Sequence, residues 1–283
     1  MEINTICVIG VGTMGSGIAQ VAAQSGFRTL LFDINAEVVE KGRLSIQKNL
    51  QYLVDKQKIS GTEKENIFQR IHFITKLSEC LADVIIEAIV EKREAKVAVF
   101  NQLADINHAG VIFATNTSSL SISAIQSKVV RPQSVVGMHF FNPAPLMKLV
   151  EVVKGDQTSD EVAVIIYDLC KQMNKTPVMC KDAPGFIVNR VARHYYLEAM
   201  KLVENGIATI ENVDEIMEAT GFKMGPFKLM DLIGMDINLA VSQSLYEAFN
   251  MEERFKPSPI QIDKVAKREL GKKTGRGFYE YNG

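Results

Sequence analysis

The chain has 283 residues, 47% of them hydrophobic and 23% charged, with a formal net charge of −1. That length supports a substantial core and is enough for two domains. With charges so nearly balanced, no overall field recruits nucleic acid or an acidic membrane, so an anionic ligand has to be caught by a local site.

Residues 5–9, TICVI, are a continuous apolar run that predicts a buried strand. GVGTMGSGIAQVAAQSG follows at once, with small and apolar residues at helical spacing until Gly26 stops them. FRTLLFD is the next strand, and the charged stretch from about Ala36 to Lys58 a long helix. A short connection leads to strands at 71–74 (IHFI) and 82–89 (ADVIIEAI), a helix near 93–104, and strands at 111–116 and 134–140. Strands that alternate with helices and are apolar throughout predict an α/β fold, a mostly parallel, doubly wound sheet covered on both faces. After TPVMC (176–180) the pattern changes to helical segments at roughly 185–204, 211–219, 228–249 and 259–269. The expected organisation is an α/β domain over 1–183 and a smaller all-α domain over 184–283, with the tail GKKTGRGFYEYNG packing back as a loop.

Cys7, Cys80, Cys170 and Cys180 show neither C-x-x-C spacing nor the density of a secreted scaffold. They read as reduced thiols of a cytoplasmic protein, and no metal site is expected. The first strand begins too close to Met1 for a targeting peptide, and no apolar run reaches the ~18 residues of a membrane span.

Gly10, Gly12 and Gly15 spell G-x-G-x-x-G between the first strand and the first helix, and Asp33 ends the second strand 18 residues after Gly15. In that context the pattern is a Rossmann-type dinucleotide site. The glycines let the backbone approach a pyrophosphate, while the amides of the helix start, Thr13 and Met14 among them, and the helix dipole favour its negative charge. Asp33 can accept hydrogen bonds from both hydroxyls of the adenosine ribose and would repel a 2′-phosphate, so NAD is expected rather than NADP.

VVGMHFFNPAPLMKLVEVV (135–153) carries His139 and Glu151 inside runs otherwise built for burial. A lone histidine in such a run is ordinarily a core residue. If the runs pair as a wide hairpin about a loop near Pro145, however, positions 139 and 151 stand opposite each other. A carboxylate accepting a hydrogen bond from Nδ1–H would fix the tautomer, present Nε2 outward and stabilise the imidazolium, which is a general acid/base device.

GVGTMGSGIAQ, EAIVEKREAK, NTSSL, GMHFFNPAPLMKLVEVV, DAPGFIVNR and KKTGRGFYEY, in this order over nearly the whole chain, resemble the L-3-hydroxyacyl-CoA dehydrogenase family. The likeness is greatest to its short bacterial 3-hydroxybutyryl-CoA dehydrogenases. It implies an NAD-binding Rossmann domain, an all-α domain used for homodimerisation, an acyl-CoA substrate, and His139 with Glu151 as the catalytic pair. Asn189, which Asp182 as cap and Pro184 as first residue would place near a helix start, is implied to bind the 3-oxygen or thioester region. Ser118 is implied to contact substrate at the carboxyl edge of the sheet. Glu91 and Lys96 match an NAD-contacting pair, Lys273 a tail lysine that reaches the cofactor, and Asn116 and Asn142 flank the nicotinamide pocket. Asn49 and Lys56, seven apart on one face of the long helix, with Lys48 beside them, are candidates for coenzyme A. The one departure inside a motif is Val11, where alanine is common.

Two other readings stand beside this one. A dehydrogenase of free β-hydroxyacids needs a lysine just before the helix asparagine, and the residues before Asn189 are Phe186, Ile187 and Val188. A non-catalytic NAD-binding sensor or scaffold would keep the fold without turnover.

Overall fold

The structure, a computed structural model, describes residues 1–281. The chain divides into two compact units, Met1–Ala183 and Pro184–Gly283. In the first, the elements run β1 (Thr5–Ile9), α1 (Thr13–Gln24), β2 (Arg28–Phe32), α2 (Ala36–Asp55), α3 (Gly61–Gln69), β3 (Ile71–Ile74) and β4 (Val84–Glu87). They continue with α4 (Arg93–Ile106), β5 (Ile112–Thr115), α5 (Ile122–Gln126), β6 (Val135–Phe140), β7 (Leu149–Lys154), α6 (Asp160–Gln172) and β8 (Thr176–Lys181).

The eight strands form one sheet in the order β3-β2-β1-β4-β5-β6-β7-β8, and only β6 and β7 pair antiparallel. The strand order reverses at β1 and β4, the position outside whose carboxyl ends open α/β sheets receive ligands. Burial explains the strand composition. Ile6, Cys7, Val8 and Ile9 are all at most 1% exposed, and since successive residues point to opposite faces, both faces of the sheet are covered. Between β6 and β7 the register sets His139 directly opposite Glu151.

Three stretches depart from the sequence expectation. The short connection before β3 contains α3, started by a reciprocal capping box in which Ser60 Oγ accepts the Glu63 N–H at 3.1 Å and Glu63 accepts the Ser60 N–H at 2.8 Å. Only Ile67 of α3 is buried, so its apolar period is faint. The long helix α2 stops at Asp55, with Lys56 as its C-cap and Gln57 at φ 53°, short of the expected Lys58. Residues 160–172, unassigned by the alternation pattern, form α6, capped by Ser159.

The second unit comprises α7 (Val188–Glu204), α8 (Ile210–Ala219), α9 (Pro226–Ile233), α10 (Met235–Ala248) and α11 (Pro259–Ala266) around a core of Tyr196, Met200, Val213, Phe227, Met230 and Met235. The single helical segment expected at 228–249 is two helices, because Gly234 sits at φ 103° and ends α9. Asp182 and Pro184 do not start α7. Gly185 and Phe186 adopt φ 72° and 48°, which delays the helix to Val188, while Asp182 accepts the Ser121 hydroxyl at 2.7 Å and the Ser123 N–H at 2.8 Å.

The glycine-rich tail is held by buried carboxylates. Asp231, with 0% exposure, accepts the Phe278 and Tyr279 N–H groups at 2.9 and 3.0 Å and the Tyr281 hydroxyl at 2.9 Å. A Cβ on Gly277 would lie 2.0 Å from Asp231 Oδ1, and one on Gly271 2.2 Å from Asp231 O, so both glycines let the tail close on this group. Asp231→Ala leaves three donors without their acceptor. It is expected to destabilise the protein by about 3 kcal/mol or more, read as a lower urea midpoint. No helix among the described residues is long and apolar enough to cross a membrane.

Candidate active site

β1 runs into the glycine turn that opens α1. Gly10 has φ 99°, and a side chain there would press on Ala88 O at 2.7 Å. A Cβ on Gly15 would lie 1.8 Å from Gly10 O, so α1 packs onto the turn only without one. Gly12 is different, since nothing lies within 4 Å of its Cβ position. It is also the N-cap of α1, and no side chain caps that helix, whose first turn is Thr13, Met14 and Gly15. A positive helix end opening on free space fits a pyrophosphate group. The larger Val11 is accommodated by Gly42 of α2, where a Cβ would meet Val11 Cγ1 at 2.1 Å. Asp33 is fixed beside the turn, its two oxygens accepting the Val11 and Asn35 N–H groups at 3.1 and 3.0 Å.

Glu91 and Lys96, which as a bare pair would read as solvated helix charges, are part of an inward network. Lys96 is 1% exposed and its Nζ lies 2.7 Å from Glu87 and 3.2 Å from Glu91. Glu91 Oε1 also accepts the Thr117 hydroxyl, the Ser118 N–H at 3.1 Å and the Ser119 hydroxyl at 3.1 Å. Burial pushes the Glu87 carboxyl above the usual range against the pull of Lys96, Thr115 and the Ile89 amide. At Glu91 burial also raises, but Lys96, Thr117 and the Ser118 amide prevail and the group sits lower than usual. Ser118 thus stands in the loop after β5, bound through its backbone to Glu91. Asn116 starts that loop; its N–H donates to Glu87 O and its Oδ1 accepts the Phe140 N–H, both at 2.8 Å, joining the ends of β4, β5 and β6.

The neighbouring hairpin carries the imidazole and the acid. His139 Nδ1 and Glu151 Oε2 are 2.7 Å apart, with residue exposures of 5% and 1%. The ring also packs on Phe141, with centroids 4.5 Å apart. A buried acceptor this close selects the tautomer with the proton on Nδ1 and leaves Nε2 as the working nitrogen. In β8, burial first and then the charges of Glu151 and Asp182 push the Cys180 thiol up to about 11, so it stays protonated at neutral pH. The loop between β6 and β7 holds Asn142, which is exposed and joined to Pro143 by a cis peptide bond. Lys175 fixes this loop from below, donating to Ala144 O at 2.6 Å and Met147 O at 2.9 Å, and burial and the charge of Lys148 pull its ammonium down to about 8.

Lys48 and Asn49 are exposed on α2, and Lys56 is exposed at its C-cap, just past the helix that was expected to carry it, with Nζ 5.6 Å from the centroid of the Tyr52 ring. In the second unit, Asn189 is the second residue of α7 and half-buried, and Lys273 donates to Asp236. Sequence reasoning missed Glu87, Thr115, Thr117 and Lys175. For Glu87 a signal existed, since an acid closing the apolar run VIIE is as anomalous as an imidazole in VVGMHF.

Residues 5–183 match the 3-hydroxyacyl-CoA dehydrogenase NAD binding domain, and residues 185–281 match the 3-hydroxyacyl-CoA dehydrogenase C-terminal domain. The chain belongs to the 3-hydroxyacyl-CoA dehydrogenase family. The glycine turn, Asp33 and the His139–Glu151 hairpin therefore all lie in the NAD-binding domain of a family of oxidoreductases. The chain is 44% identical to the 3-hydroxyadipyl-CoA dehydrogenase of Escherichia coli K12 over 99% of its own length, and spans 60% of that protein. Its fold matches the crystal structure of an E. coli 3-hydroxybutyryl-CoA dehydrogenase with a TM-score of 0.96 at 44% identity, again over 99% of this chain and 60% of the other. The (S)-3-hydroxybutyryl-CoA dehydrogenase of Ralstonia eutropha is matched end to end, covering 100% of both chains, with a TM-score of 0.94 at 38% identity.

Proposed function

We propose that the protein is an NAD-dependent dehydrogenase interconverting 3-oxoacyl-CoA, acetoacetyl-CoA foremost, and L-3-hydroxyacyl-CoA. The observation that carries this is the buried 2.7 Å contact between His139 Nδ1 and Glu151 in the domain that matches an NAD-binding family. The nicotinamide, when bound, supplies or accepts the hydride at C3 of the acyl group. His139 moves the matching proton: its neutral Nε2 takes the 3-hydroxyl proton in oxidation, and the imidazolium returns it in reduction. Glu151 keeps the ring oriented and balances the imidazolium charge.

The remaining assignments follow the family resemblance. Ser118 and Asn189 hydrogen-bond the substrate, Asn189 stabilising the charge that develops on the 3-oxygen. Gly10, Gly12, Thr13, Met14 and Gly15 receive the pyrophosphate and Asp33 the adenosine ribose, while Glu91, Lys96, Asn116, Asn142 and Lys273 complete the cofactor site. Lys48, Asn49 and Lys56 take coenzyme A, with the lysine ammoniums matched to its phosphates. A second copy of the chain as partner follows the family resemblance in the same way. A cytoplasmic location is part of this reading, and the free thiols of Cys7, Cys80, Cys170 and Cys180 support it.

Initial rates of NADH oxidation test this reading. Acetoacetyl-CoA is expected to turn over and free acetoacetate to fail; equal rates would favour the free-acid alternative, and NADH binding without turnover of any 3-oxoacyl-CoA the scaffold. NADPH is expected to be a poor substitute, because Asp33 is an anion where a 2′-phosphate would sit. Asp33→Ser should narrow the NADH/NADPH ratio of kcat/KM by about tenfold or more, the loss of one like-charge contact being worth roughly 1.4 kcal/mol. An unchanged ratio would remove Asp33 from cofactor selection.

A further inference from the structure

We propose that Glu87 is a positioning residue for the reaction: it holds Lys96 so that Lys96 and Glu91 together fix the loop that presents Ser118. The inference rests on the reading of Ser118 as a substrate contact.

Glu87 closes β4 and has 0% exposure. Both its oxygens are engaged, Oε1 by Lys96 Nζ and the Ile89 N–H, each at 2.7 Å, and Oε2 by the Thr115 hydroxyl at 2.7 Å. As a device for stability alone this is a poor choice, since desolvating an ammonium and a carboxylate cancels much of their attraction and an apolar pair often serves as well. What the charges supply is geometry. Lys96 lies between two carboxylates, and the second of them, Glu91, collects three donors from the single segment Thr117–Ser119. With Glu87 neutral, Glu91 becomes the one carboxylate bound to the Lys96 ammonium and is drawn toward it, at the expense of the loop's hydroxyls and the Ser118 amide. The segment stands at the carboxyl ends of β4 and β5, next to the strand that bears His139, so a shift there moves a substrate contact relative to the imidazole.

Glu87→Gln tests this, because the amide keeps the size and the acceptor for the Ile89 N–H while removing the charge. With NADH saturating, KM for acetoacetyl-CoA is expected to rise about tenfold, the scale of one charge-assisted contact, with near-ultraviolet circular dichroism unchanged. Glu91→Gln should give a similar rise, and the double variant should be no worse than the more affected single one, because both act through one loop. Wild-type KM and kcat in Glu87→Gln, or effects that multiply in the double variant, would overturn the proposal while leaving an active wild-type enzyme and its function intact. A wild type inactive toward every 3-oxoacyl-CoA would overturn the functional reading and this inference with it. Should Glu87→Gln fail to fold, Thr115→Val, which removes one hydroxyl from the same carboxylate, is expected to raise the same KM, and an unchanged KM there counts against Glu87.

Discussion

Replacing His139 by Gln is expected to lower kcat for acetoacetyl-CoA reduction by about 10³-fold, within the range of general acid–base catalysis. The imidazole can take a proton at Nε2 and give it back, and the carboxamide of glutamine can do neither. The variant should keep its fold, since a carboxamide at 139 can still donate to Glu151 and the surrounding strand pairs are unaltered. NADH affinity should stay within about twofold of wild type, because the glycine turn and Asp33 lie at β1 and β2, separate strands from the hairpin. Stopped-flow or steady-state kinetics with a fluorescence titration of NADH separate the two quantities. Substantial turnover would remove His139 from the mechanism, and lost NADH affinity would make it a structural residue of the cofactor site.

Glu151→Gln is expected to lower kcat by about 10²–10³-fold, somewhat less than loss of the imidazole itself. An amide at 151 can donate as well as accept, so it no longer enforces the Nδ1–H tautomer, and it supplies no counter-charge to the imidazolium. The substitution is nearly isosteric in a position of 1% exposure, so the packing of β6, β7 and β8 is retained. The discriminating readout is kcat against thermal stability. A residue that only supported the hairpin would show a lowered melting temperature with normal kcat, whereas the charge and tautomer roles predict the reverse.

How far the sequence carries differs between the two halves of the chain. The parallel sheet was legible because runs such as TICVI and VIFAT are buried on both faces and show no alternation. The hairpin register was legible as well, since the spacing of His139 and Glu151 about Pro145 allows only a narrow set of pairings once the runs are taken as strands. Helix ends were harder. The break at Gly234 and the late start of α7 depend on left-handed residues whose conformation is fixed by packing, Gly185 for example lying where a Cβ would meet Leu245 at 2.6 Å. The candidate site was signalled by the residues that break a local pattern, His139 and the glycines above all. Lys96 was visible as a charge but not as a buried one, because its burial follows from the partnership with Glu87, which lies on a different element. Lys175 carried no signal at all, being an ordinary lysine in QMNKTP until the loop of Ala144 and Met147 folds over it.

The central claim is that His139 and Glu151 act as one proton-handling unit, and the measurement closest to it is kcat/KM of the His139→Gln/Glu151→Gln double variant beside the two single ones. If they form a unit, the double variant should match His139→Gln alone to within about threefold, since the acid has nothing left to orient. A further loss of about a hundredfold, with the two effects multiplying, would mean that Glu151 works independently of the imidazole.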